Sequence, residues 1–216
     1  MKNAIFYKLL IFCIGLLVIR VIQTHHYSFF FLLWNLFLAW VPMTILKKYR
    51  QQQTVWRQYF IIALTLLFLP NAPYIVTDLF HLSKNLIAPL WFDTLLIFSF
   101  ALLGLILFLR CFEQLLAILR PIIKNDQLYF FTKILILISN GYGIYLGRYL
   151  RFNSWDIVSD PIDLFTSLYL SIMDKNNCKE TLAITFAFSV FLYLIFELYI
   201  GFKKSISNPN HELSEK

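Results

Sequence analysis

A chain of 216 residues that is 59% hydrophobic and only 14% charged is not an ordinary soluble domain, in which about a quarter of the residues carry charge. The net charge of +7 does not mark a nucleic-acid binder either, because the basic residues sit in short loops between apolar runs and not on one patch. The three cysteines, Cys13, Cys111 and Cys178, are too scattered to imply a disulfide framework.

A bilayer core about 30 Å thick needs about 20 largely apolar residues per helix. Six segments meet that test: 4–22, 28–46, 58–80, 90–109, 130–150 and 181–201. Lys2 and Lys8 before the first run imitate a signal peptide, but no small-x-small cleavage site follows, so an uncleaved helix is expected. Residues 111–123 read as an amphipathic extension of the fourth span that stops at Pro121.

Residues 161–173 read as a short interfacial helix. Asp160 suits its N-cap, Pro161 its first position, and Asp163 the positive end of its dipole. Asp163, Thr166, Ser167, Ser171 and Asp174 form a polar stripe opposite Ile162, Phe165, Leu168, Tyr169 and Ile172. The fold class is therefore an all-α integral membrane bundle of about six transmembrane helices with an interfacial helix on the outer side. Residues 1–202 make one domain, and 203–216 a polar, disordered cytoplasmic tail.

Orientation follows from Lys and Arg placement. Lys2, Lys8, Lys47, Lys48, Arg50, Arg57, Arg110, Arg120, Lys124, Lys133, Lys203, Lys204 and Lys216 fall on one side, thirteen of the nineteen. Arg20, Lys84, Arg148, Arg151, Lys175 and Lys179 fall on the other. That asymmetry predicts a multi-pass protein of the cell membrane with both termini cytoplasmic.

The third span closes on Pro70-Asn71-Ala72-Pro73-Tyr74-Ile75-Val76-Thr77-Asp78-Leu79-Phe80-His81. Each proline lacks an N–H, so the carbonyls of Leu66 and Leu69 lose their helical donors and Asn71 is placed to satisfy freed backbone. Ionisable groups in a span are costly, which makes Asp78 and His81 functional candidates. Asp93 opens the fourth span from the same side, and Arg148, Arg151, Asn153 and Asp156 follow the fifth. Asp78 and His81 could act as an acid–base pair, or as O and N ligands of a divalent metal, the one cofactor these donors suggest. Arg148 and Arg151, with Asn71, Asp93, Asn153 and Asp156, would then bind substrate, because a guanidinium fork matches carboxylate or phosphate. The competing reading is that the arginines pair with Asp78, Asp93 or Asp156 and tie helix ends together. Gly143 and Gly147 make a G-x-x-x-G step suited to close helix packing.

Taken together, Pro70-Asn71-Ala72-Pro73-Tyr74 with Thr77-Asp78 and His81, Trp91-x-Asp93, and Tyr145-Leu146-Gly147-Arg148 with Arg151-x-Asn153-Ser154-Trp155-Asp156 resemble a family of bacterial membrane proteins, domain of unknown function family DUF1361. The likeness runs from about residue 25 to 200. It implies a polytopic membrane protein and no particular activity. Three functions stay open: a membrane enzyme acting on a lipid-linked or anionic substrate, a transporter or its accessory subunit, and a structural or partner-binding protein whose polar cluster is an ion-paired knot. The partners expected are the lipid bilayer and a small-molecule or lipid-linked substrate, with no nucleic acid.

Overall fold

An apolar chain in lipid must satisfy its backbone hydrogen bonds internally, and a helix does so within one segment. The computed structural model describes residues 3–51, 53–83 and 87–207, and among them there is helix but no strand. The elements are α1 (Asn3–Thr24), α2 (Phe31–Leu46), α3 (Val55–Phe68), α4 (Asn71–Tyr74), a 3₁₀ segment (Ile75–Ser83), α5 (Leu90–Leu119), α6 (Asp126–Arg148), α7 (Asp156–Ser159), α8 (Pro161–Met173) and α9 (Lys175–Ser207). The protein is an all-α membrane bundle. Lys2, Lys84 and residues 208–216, which bear on the charge count and the expected tail, lie outside the described residues.

Among the described residues five stretches are long and apolar enough to cross a membrane: Ala4–Thr24, Val55–Leu82, Leu90–Leu119, Asp126–Arg148 and Cys178–Ile206. The helix expected over 28–46 is shorter. Its first residues turn, with Phe30 N–H donating to the Tyr27 carbonyl, and α2 proper has 16 residues. That is about 24 Å at the helical rise.

Helix α5 is the hub. Phe92, Leu96, Phe100, Leu103, Phe108, Phe112 and Leu115 are buried along it, and α1, α2, α4 and the 3₁₀ segment pack around it. A second unit is the pair α6 and α9, with α8 lying against α9. The four-residue helix α4 touches α2, α5 and α6, so it joins the two units. On the outside, Ile11, Phe131, Leu135 and Phe186 are exposed on the long helices, which suits contact with lipid.

Two local expectations are corrected. Asp160 stands at the N-cap of α8 but its side chain makes no capping bond, and Pro161 alone opens the helix. On α8, Leu164 and Ser171 are buried against the bundle while Ile162, Phe165, Tyr169 and Ile172 point outward. The polar stripe is thus partly consumed by packing.

Candidate functional site

The site is built on the break between α3 and α4. Pro70 and Pro73 interrupt the ladder, and each freed carbonyl for which a donor can be named finds it nearby. The Leu69 carbonyl accepts from Ala72 N–H at 3.1 Å. The Phe68 carbonyl accepts from Asn71 Nδ2 at 3.0 Å, and the Leu67 carbonyl from Ser154 Oγ at 3.0 Å. Asn71 Nδ2 also donates to Ser154 Oγ at 2.9 Å, so the break is sutured to the loop after α6.

Glycines let neighbours close on that break from two sides. A Cβ on Gly104 of α5 would strike the Ala72 carbonyl oxygen, and one on Gly143 of α6 would lie 2.7 Å from the Pro70 ring. At Gly147 it would meet the Tyr74 ring at 3.1 Å. The G-x-x-x-G step therefore serves α4.

Beyond α4 the chain runs as a 3₁₀ segment for nine residues. Three residues per turn put side chains three apart in register. Asp78 and His81 accordingly stand in one row, and Arg148 from the end of α6 meets both. Arg148 Nη1 lies 3.1 Å from His81 Nε2 and 3.7 Å from Asp78 Oδ1. A guanidinium only donates, so Nε2 accepts and the ring proton sits on Nδ1 in this arrangement. Asn35 of α2 donates to Asp78 Oδ2 at 2.8 Å, which completes the shell of a carboxylate that is 1% exposed. Phe80 lies 5.3 Å beneath the guanidinium, and Phe31 is 4.9 Å from the His81 ring.

Asp78 and His81 thus meet a cation where a metal would need a third ligand. Among the described residues no group of three His, Cys, Asp or Glu is placed to hold a metal ion. Asp78 has both oxygens engaged, and the geometry favours a charge-compensated cluster.

The other residues expected in the site divide. Asp93 pairs with Arg20 of α1, Nε to Oδ1 at 2.7 Å and Nη2 to Oδ2 at 3.2 Å. Asp156 closes a local turn, accepting from Asn153 N–H at 2.6 Å and Ser159 Oγ at 3.1 Å. Arg151 is exposed at φ 61° and has no hydrogen bond or ion pair among the described residues. Asn71 and Asn153 line a cavity of about 280 Å³ between α2, α4, α6 and the 152–154 loop. Trp34, Asn35, Tyr74, Tyr142 and Ser154 share its wall, and Leu164 of α8 reaches it. Ser171 Oγ on α8 sits 2.9 Å from the Tyr142 hydroxyl, which pins α8 beside the cavity.

Sequence reasoning missed Arg20, Asn35, Trp34 and Tyr142. For Arg20 a signal existed: an arginine within an apolar helix, four residues before its end, needs a buried partner. Asn35 lay in an otherwise apolar run and gave the same signal. At the opposite end, Glu197 pairs with Lys133 of α6, while Lys203 holds Glu113 at 2.5 Å.

A family model described as "Protein of unknown function (DUF1361)" matches residues 34–195, three quarters of the chain, and the chain belongs to that family. The match contains Asn35, Asn71, Asp78, His81, Asp93, Arg148 and Asn153; Arg20 precedes it. No curated protein and no solved structure matches the chain.

Proposed function

We propose that this member of the DUF1361 family is a multi-pass protein of the cell membrane that binds the head of an amphipathic or lipid-linked molecule in the α2–α4–α6 cavity, on the outer face. The orientation rests on the sequence, which assigns thirteen of the nineteen basic residues to the opposite side, with α2 as a sixth, short crossing that brings both termini to the cytoplasmic side. Residues 1–202 form the membrane domain. The observation that carries the binding reading is the cavity itself. It combines aromatic walls with convergent amides, the composition of a small-ligand pocket, and stands where broken backbone is tolerated only against protein or water.

In this reading the Asp78–His81–Arg148 cluster positions residues and does not react. It fixes Asn35, and through Arg148 it ties the end of α6 to the 3₁₀ segment. An acid–base or metal role for Asp78 and His81 would require Arg148 to swing away from both. Ser99, Asn140 and Ser189 are buried polar side chains on α5, α6 and α9, and each donates to a backbone carbonyl, which weighs against a transport path.

The test is native mass spectrometry of protein extracted in mild detergent, with Trp34→Ala and Asn153→Ala beside the wild type. Small-molecule adducts present in the wild type and depleted in both variants, at unchanged melting temperature, are expected. Equal adducts in all three, or none in any, would overturn the binding reading.

A further inference from the structure

The polar groups of the cavity differ in what they have already committed. Asn71 spends its amide nitrogen twice, on the Phe68 carbonyl at 3.0 Å and on Ser154 Oγ at 2.9 Å. Asn35 turns Nδ2 to Asp78 at 2.8 Å, and Asn153 turns Nδ2 to Asp156 at 3.5 Å. An amide whose nitrogen is held has a fixed oxygen as well, and the Oδ1 atoms of all three have no donor among the described residues. The hydroxyls offer little in exchange. Ser154 gives its proton to Leu67, Ser139 gives its proton to Leu135, and Tyr142 is paired with Ser171.

The balance is therefore tilted. Three carbonyl oxygens, each with two lone pairs, stand against one remaining N–H apiece on Asn35 and Asn153 and the Tyr74 hydroxyl. Among the described residues no Lys, Arg, His, Asp or Glu lines the cavity; of the two arginines next in sequence to its wall, Arg148 is occupied by Asp78 and His81, and Arg151 is exposed and is not a lining residue. A phosphate or carboxylate would bring acceptors and negative charge to a wall of acceptors, and acceptors left facing one another without a donor are unfavourable. Hydroxyls or an ammonium would be complementary, with the face of Trp34, half exposed at the mouth, to cover sugar C–H groups or a cation.

We infer that the cavity selects a head group rich in hydrogen-bond donors and free of negative charge, either a polyol such as a sugar or a primary ammonium. This rests on the binding reading above and reverses the anionic substrate that the paired arginines suggest in the sequence.

The test uses the full chain in phosphatidylcholine nanodiscs, titrated with an alkyl glucoside, an alkylammonium and an alkyl phosphate of equal chain length, below solubilising concentration. Bound probe is counted by native mass spectrometry for wild type, Asn153→Ala and Trp34→Ala. The glucoside or the ammonium should bind about tenfold more tightly than the phosphate, and whichever of the two leads identifies the donor source. Asn153→Ala should lose most of that preference while melting as the wild type does. Phosphate binding as tight as the others, sensitive to Trp34→Ala, would overturn the inference and leave the cavity a binding site. Probe counts that are the same in wild type and Trp34→Ala would overturn the binding reading, and the inference with it.

Discussion

Arg20 and Asp93 stand 73 positions apart in sequence and form a two-point ion pair with side chains 0% and 3% exposed. The guanidinium also lies 3.9 Å over the Phe29 ring, so one side chain fastens α1 to α5 and to the turn that leads into α2. Arg20 Nη1 has no hydrogen-bond partner among the described residues. Removing one member of a buried pair strands the other, at a cost of roughly 3–5 kcal/mol, whereas replacing both with apolar residues can be close to neutral. Arg20→Met and Asp93→Leu should each lower the unfolding free energy in mild detergent by about that amount, and the double variant should recover most of it. Additive losses in the double-mutant cycle would show that the pair is not a unit.

The Asp78 cluster gives a graded version of the same expectation. Asn35→Leu removes the donor to Asp78 Oδ2 and leaves an acceptor buried, which costs about 1–3 kcal/mol. Arg148→Met removes the only cation within 4 Å of that carboxylate among the described residues, and the loss should be larger, near the lower end of roughly 3–5 kcal/mol because Arg148 is partly exposed. Asp78→Asn added to Arg148→Met should restore stability. Thermal unfolding of the three proteins in one lipid composition decides the order. A larger loss in Asn35→Leu than in Arg148→Met would show that the hydrogen bond, not the charge, holds the row.

The helices were legible because composition and apolar run length decide them. The all-α membrane fold, the bounds of α8 and the break at Pro70 follow from residue types alone, since proline lacks its N–H wherever the fold places it. Which charges meet was not legible. Asp78, Asp93 and Asp156 look alike as carboxylates at one end of the bundle, and their partners come from three different places: α6 and α2, α1, and a turn three residues away. Lateral helix order chooses among them, and it is written in contacts such as Gly104 on Ala72 that no local pattern reveals. The cavity was half legible. Asn71 and Asn153 stood out beside prolines and arginines, while Trp34 and Asn35 came from a helix that reads as plain apolar span.

The glycine clamp on α4 is testable against an internal control. A methyl at Gly104 would run into the backbone oxygen of Ala72, which cannot rotate away, whereas at Gly15 nothing lies within 4 Å. Gly104→Ala should lose about 1–3 kcal/mol by overpacking. Gly15→Ala should be neutral or gain up to about 1 kcal/mol, because alanine loses less backbone entropy in a helix. The two variants melted side by side separate clash from general glycine loss. Equal stability for both would mean that α5 can slide off α4 without cost.

The two ends of the bundle should respond unequally to loss of charge. Glu197 pairs with Lys133, but its side chain is 46% exposed, and Lys133 is also held near the Tyr193 and Phe196 rings, 5.0 and 5.1 Å away. An exposed ion pair contributes about 0.2–1 kcal/mol and weakens as salt rises, since the Debye length shrinks from about 10 Å at 0.1 M to about 3 Å at 1 M. Glu197→Gln should therefore shift melting slightly at low salt and negligibly at 1 M. Asp78→Asn strips the charge that Arg148 faces inside the bundle, where solvent ions do not reach, so its effect should be larger and should persist at high salt. Melting both variants at low and high salt in the same detergent measures the contrast. Comparable losses with the same salt dependence would show that the Asp78 cluster is as open to water as the opposite end, and Asn35 would then lose its role as a fixed wall of the cavity.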